Sequence, residues 1–237
     1  VRWPECMEQH RDKFAARNRS ELFDELKNVR EHLRARREFS YPLVTDDSPR
    51  GAPRRIRDNT LVYRQALLHR AIMLLEGAIE NAAMENAYTM VLAIRGHFET
   101  TAALGYLHYR LASLNSKNIT PEDFDCGLSI QMLGSRDKKT LEMPPDPKQI
   151  MTMLEHADKS VNKHLIKDKG AFIPVLKEPY EWLCEFCHPN YHSDSVALDV
   201  DAPGKIFKFR HGLPLNDREF FLLGYLFCLQ GFGEEVY

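Results

Sequence analysis

A chain of 237 residues, 43% hydrophobic and 28% charged, is long enough to bury a substantial core and has the composition of an ordinary globular protein. Its net charge of −2 excludes a global electrostatic pull towards nucleic acid or an anionic membrane. No apolar run approaches the roughly 18 uncharged residues that span a bilayer, so no membrane partner is expected. Five cysteines, an odd number without regular spacing, argue against a disulfide framework and for a reducing, cytoplasmic setting. Residues 1–6 carry no apolar stretch of the kind a secretory signal needs. The first residue is Val1 rather than Met, which leaves room for residues upstream.

Helical periodicity dominates. Asn18 with Glu21 reads as a capping box that opens a charged helix to about Phe39. Its apolar positions Leu22, Phe23, Leu26, Val29 and Leu33 recur at i, i+3/i+4 spacing and define one buried face. Residues 40–58, with three prolines and a glycine, predict the longest loop, and it carries Arg50, Arg54, Arg55 and Arg57. Two long helices follow, over 59–84 and 86–115. In the second, Met90, Val91, Ile94, Phe98, Ala102, Leu104, Tyr106 and Leu107 cover more than one face, which places it at the centre of a bundle.

Thr120-Pro121 and Asp146-Pro147 each set a capping residue before a proline at the first helical position. They open two shorter helices, separated by a loop around Pro144-Pro145. Another helix starts near Pro179 and stops at His188-Pro189, because proline disfavours helical backbone in the residue before it. The period then changes. Residues 196–200 and 205–209 alternate in character around Ala202-Pro203-Gly204 and predict a hairpin. Asn216 with Glu219 caps a last apolar helix to about Gln230, whose apolar run 220–227 serves a core or, as the alternative, a homodimer interface. The expected fold is mainly α: a helical bundle with a small β-hairpin inserted before the C-terminal helix. It forms one domain over 1–237, with a charged N-terminal helix and loop at 1–57 and the bundle core at 58–237.

The densest group of reactive side chains is Cys184-Glu185-Phe186-Cys187-His188-Pro189-Asn190-Tyr191-His192. Cys184-x-x-Cys187-His188 matches the c-type haem attachment pattern. That reading needs an exported protein, and Trp182, Leu183 and Phe186 call for burial instead, so no cofactor is expected. Cys184, Cys187, His188 and His192 offer zinc four N/S ligands. However, Cys187 and His188 would point about 100° apart on a helix, and two small buried thiols explain the cysteines equally well. No metal is therefore expected. Glu185-x-x-His188 is half of a di-iron pattern, and the chain has no second half. Glu76 and Glu80 would supply only carboxylates.

Arg95 and Glu99 lie at i, i+4 on the most apolar helix, so both project from one face. Charges placed there need partners, because unpaired burial is strongly unfavourable. Either they pair with each other, or they meet the His188-Pro189-Asn190 turn. In the second case Arg95 binds an anion, Glu99 orients, and His188 is the general acid/base, with Glu185 and Asn190 completing the candidate site.

Arg95-x-x-x-Glu99 together with Tyr180-x-x-Leu183-Cys184-Glu185-x-x-His188-Pro189-Asn190 resembles a group of uncharacterised bacterial all-helical proteins. These carry an arginine/glutamate helix and a later L-S-E-x-x-H-P-N type motif, and Cys184 stands here in the place of the serine. The likeness spans about residues 60–235. It implies a helical fold and no particular activity. Tyr180 and His192, beside the motif, are ligand-binding candidates. Some such proteins are linked to HEPN domains, whose ribonucleases carry Arg-x(4–6)-His. Arg64-Gln65-Ala66-Leu67-Leu68-His69 fits that pattern on an earlier helix than those enzymes use, which adds Arg64 and His69 as candidates. The plain alternative for His69 is a satisfied interhelical histidine.

Basic residues at 50–57 and Lys159, Lys163, Lys167 and Lys169 could grip phosphates. They lack interleaved aromatic residues for base stacking, so nucleic acid is the lesser expectation. Three functional readings stay open. The first is a bacterial helical binding or signalling module of unknown ligand, in stress or defence. The second is a metal-independent, HEPN-like ribonuclease or other phosphate-directed hydrolase using His188 or His69. The third is a small-ligand sensor with its pocket near the hairpin.

Overall fold

The computed structural model describes residues 3–40, 52–134, 146, 148–165, 175–188, 194, 198–201, 206–209 and 215–227. Among them it holds eight helices: α1 (Trp3–Ala15), α2 (Ser20–Ala35), α3 (Ala52–Ala83), α4 (Ala87–Asn115), α5 (Pro121–Leu133), α6 (Ile150–Leu165), α7 (Lys177–Glu185) and α8 (Asp217–Leu223). The fold is mainly α, as the periodicity predicts. The backbone of β1 (Leu198–Asp201) runs antiparallel to that of β2 (Ile206–Phe209), with Leu198 opposite Phe209 and Asp201 opposite Ile206.

Local chemistry explains the helix ends. Thr120 and Asp123 form a full capping box on α5, with Pro121 in the first turn. Asn216 and Glu219 do the same for α8. Both side-chain pairs satisfy backbone N–H groups that a helix N-terminus leaves orphaned. Three helices close on a left-handed residue that is not glycine: Asn18 after α1, Glu85 after α3 and Lys117 after α4. Each is followed by the same pair of backbone bonds. After α4, for example, Lys117 N–H donates to Leu114 O at 3.0 Å and Asn118 N–H to Ser113 O at 2.9 Å. This is the Schellman closure.

Several boundaries differ from the sequence expectation. Asn18 closes α1 rather than capping α2, because α1 already occupies the chain up to residue 15 and asparagine tolerates the left-handed region. The loop at 40–58 ends early. α3 begins at Ala52 with Pro53 in its first turn, where a missing N–H does no harm. Arg54, Arg55 and Arg57 are therefore helical, while Arg50 lies outside the described residues. Likewise α6 opens at Ile150, not at Pro147. α7 ends at Glu185, and residues 186–188 form a turn.

The chain groups into two compact units. The first comprises Val1–Ala35, Ala71–Phe98 and Glu178–Gln230; the second comprises Arg36–Arg70, Glu99–Lys177 and Gly231–Tyr237. In the first, Phe14, Phe23, Leu26, Leu75, Ile79, Ile94, Phe98, Leu183 and Leu222 are buried. Phe14 meets Phe23 and Phe220 at ring separations of 5.3 Å and 5.6 Å. The apolar residues of α8 are mostly core, with Phe220, Leu222 and Leu223 buried and Phe221 exposed. In the second unit, residues 101–107 are all buried, and Leu107, Phe124 and Leu128 form a cluster flanked by Ile56, Tyr63 and Leu111. Each fully buried Leu or Phe contributes roughly 1.5–3 kcal/mol of transfer free energy, which is what holds these short helices in place.

Candidate functional site

In the first unit, α7 presents Tyr180, Cys184 and, just past its end, Cys187 at i, i+4 and i+7. That spacing forms one stripe along a helix. The Arg95 guanidinium on α4 meets this stripe. Its Nη2 donates to Tyr180 Oη at 3.4 Å, and its carbon lies 5.6 Å from the Tyr180 ring centroid. Cys187 and Cys184 lie close enough to add to the interactions that favour its charged form. Burial opposes the charge, but Tyr180 and the two cysteines together outweigh it, so the guanidinium is held above its ordinary value. Cys184 and Cys187 are half-buried and not disulfide-bonded, and the Cys187 thiol donates to Leu183 O at 3.4 Å.

Glu185 and His188 are exposed. Glu185 is one residue on from Cys184 and therefore about 100° round the helix. Asn190 and His192 lie outside the described residues. Thus Arg95 does meet the reactive segment, through Tyr180 and the thiols, while Pro189 and Asn190 of the His-Pro-Asn turn lie outside the described residues. The i, i+4, i+7 spacing of 180, 184 and 187 is the sequence signal that would have found this. Among the described residues no group of three or more His, Cys, Asp or Glu could hold a metal, although His192 of the zinc set is not among them.

Glu99 belongs to the second unit, where Arg70 Nη2 lies 3.7 Å from its carboxylate. Both line an open cavity of about 410 Å³. Tyr63, Leu67 and Arg70 reach it from α3 at i, i+4 and i+7. Glu99, Thr100 and Ala103 come from α4, Ile130 and Gln131 from α5, and Lys148, Gln149, Ile150 and Met153 from the start of α6. No residue described as lining it belongs to 198–209. Burial pushes the Tyr63 phenol up to about 12, against the pull of Arg70 and a hydrogen bond with Gln131. The phenol is therefore a neutral donor at pH 7. Among the described residues two cations, Arg70 and Lys148, face one carboxylate, Glu99. The first N–H groups of α6 add positive potential at the same mouth.

His69 is held by structure. Its Nε2–H donates to Glu38 O at 2.8 Å, which fixes the tautomer because a carbonyl can only accept. Gln65 works beside it, accepting from Glu38 N–H at 3.0 Å and donating to Arg36 O at 3.2 Å. Together they tie the segment after α2 to α3. Arg64, five residues before His69, lies about 140° away round α3, with its Nε buried and lacking a hydrogen-bond partner among the described residues. A nuclease using His69 would first have to break the Glu38 bond.

The described part of the basic stretch is partly offset locally, three arginines facing two carboxylates. Arg55 pairs with Asp125 at 3.1 Å, and Arg57 and Arg54 face Asp58 at 2.9 Å and 3.9 Å. Lys167 and Lys169 lie outside the described residues, as does the side chain of Lys163. Among the described residues no helix is long and apolar enough to cross a membrane. Comparison with protein-family models, curated proteins and solved structures finds no match for this chain.

Proposed function

We propose that the chain is a helical binding module whose ligand site is the cavity of the second unit. The observation that supports this reading is the cavity lining, where Arg70, Lys148 and the α6 N-terminus oppose Glu99 above an apolar floor of Leu67, Ala103, Ile130 and Met153. A volume of about 410 Å³ is in the range of small-molecule sites. The excess of positive groups selects a small anion, and the apolar floor selects one with a hydrocarbon or ring portion. Neutral Tyr63, with Gln131 and Thr100, would orient it by hydrogen bonds. The reading combines the binding-module and ligand-sensor expectations and places the protein in a reducing compartment.

Thermal unfolding with AMP, octanoate and inorganic phosphate tests it. Saturation by AMP or octanoate at about 100 times its Kd should raise Tm by about 5–10 °C. The shift should vanish in Arg70→Ala/Lys148→Ala and grow in Glu99→Gln, which removes the opposing charge. No shift with any probe, or a shift that survives the double substitution, removes the cavity from consideration.

The same proposal includes the 198–209 segment as a β-hairpin inserted before α8. The alternation in the sequence and the antiparallel register of β1 and β2 support it. Cross-strand amide contacts between Asp199 and Lys208 in an NMR spectrum would be the direct check, and their absence would remove the hairpin.

A further inference from the structure

The stripe on α7 carries chemistry that ligand binding in the second unit does not use. Cys187 N–H donates to Cys184 O at 3.0 Å, and Phe186 N–H to Leu183 O at 3.3 Å. Both are i→i+3 bonds, so the backbone tightens here from α-helix to a turn. In such a turn the side chains at i and i+3 eclipse, and the two Cα atoms come within about 7 Å. A disulfide needs Cα atoms about 4.4–6.8 Å apart. Cys184 and Cys187 are therefore juxtaposed, both half-buried and neither bonded to another cysteine. A guanidinium beside them, held in place by Tyr180, supplies the counter-charge an anionic sulfur requires.

We propose that Cys184 and Cys187 form a thiol–disulfide exchange site that takes low-molecular-weight disulfides of the glutathione class, with Arg95 as the counter-charge. The Cys187 sulfur attacks one sulfur of the small disulfide as its thiolate, its proton passing to solvent. That S–S bond breaks, and one small thiolate leaves and takes up a proton. Cys184 then gives up its proton and attacks Cys187 in the mixed disulfide. The Cys184–Cys187 bond forms, and the second small thiolate leaves as its thiol. Two protein thiols are oxidised, one small disulfide is reduced to two thiols, and the protons balance. A dithiol of this kind in a reducing compartment is a transient, redox-poised group rather than a structural staple.

The test uses the full folded chain incubated with glutathione disulfide, quenched with an alkylating agent and digested with trypsin. Residues 178–205 contain no internal Lys or Arg, so one peptide carries both cysteines. That peptide should lose the mass of two hydrogens, escape alkylation, and recover both changes on reduction. Cys184→Ser should instead trap a glutathione adduct on Cys187. Arg95→Gln, checked for native far-UV circular dichroism, should slow formation of the internal disulfide about tenfold, while Arg95→Lys should retain most of the rate. The proposal fails if residues 178–205 stay doubly alkylated while exposed Cys126 becomes glutathionylated. An unchanged rate in a folded Arg95→Gln chain would remove Arg95 from the assignment.

Discussion

Asp158 on α6 accepts Leu176 N–H at 2.7 Å and Lys177 N–H at 3.0 Å, and its side chain is buried. It serves as the acceptor for backbone groups at the start of α7. Burial pushes its carboxyl up and the backbone bonds pull it down, with burial the larger effect. Asp158→Ala leaves two N–H groups without this acceptor. It is expected to destabilise by about 2–4 kcal/mol, read as a lower urea midpoint at unchanged m-value. Asp158→Asn keeps one acceptor oxygen and should lose about half as much. Equal stability of Asp158→Ala and the parent would show that water replaces the carboxylate. Nothing in the local sequence marks Asp158 as special, because the residues it serves are 18 and 19 positions away. The need of Arg95 for a partner, by contrast, was legible from its apolar helix. The identity of that partner was not.

Helix ends show the same division within a few residues. The capping boxes at Thr120 and Asn216 follow from residue type and spacing alone, since donor and acceptor lie in one turn. The left-handed closures at Glu85 and Lys117 do not announce themselves, because neither residue favours that conformation. A non-glycine side chain pays a steric penalty there of about 1–2 kcal/mol. Lys117 is exposed, at φ 57°. Lys117→Gly should therefore stabilise by about 0.5–1 kcal/mol, part of the relief being offset by the greater freedom of glycine in the unfolded chain. A lower midpoint of thermal unfolding for this variant would contradict the closure described for α4. Glu85 is a less clean test, because Arg17 Nη2 reaches its carboxylate at 2.6 Å.

At the scale of the molecule, three histidines among the described residues make stability depend on pH. His97 is fully buried, and burial drives its imidazole down to about 3; burial also lowers His10 and His156. The unfolded chain takes protons near 6.5 that the folded chain refuses, so the stability is fully present above about pH 6.5 and is lost as pH falls below it. For His97 the slope approaches about 1.4 kcal/mol per pH unit between 6.5 and its folded value. Asp158 acts in the opposite sense at lower pH. Its folded value is raised above 3.8, so the folded chain holds that proton more tightly and gains stability as pH falls through that window. Urea midpoints measured from pH 7.5 to 4.5 should fall in the parent and fall less steeply in His97→Gln. An identical pH profile in the two chains would exclude His97 as a source of the acid sensitivity.

The helical class, the long helices near 59–84 and 86–115, the caps of α5 and α8 and the buried stripe of α2 were all written in the sequence. Each depends on residues within one or two turns of one another, where periodicity and capping chemistry act without help from the rest of the chain. α1, the true start of α3 and the role of Asn18 were missed, because weak local signals compete there and packing chooses between them. Tertiary structure alone decided that Arg95 meets Tyr180 and two thiols, that His69 is committed to Glu38, and that Glu99 faces Arg70 across a cavity. Those pairings join residues from 29 to 92 positions apart along the chain. No periodicity encodes such distances, and only burial of the helix faces brings the groups together.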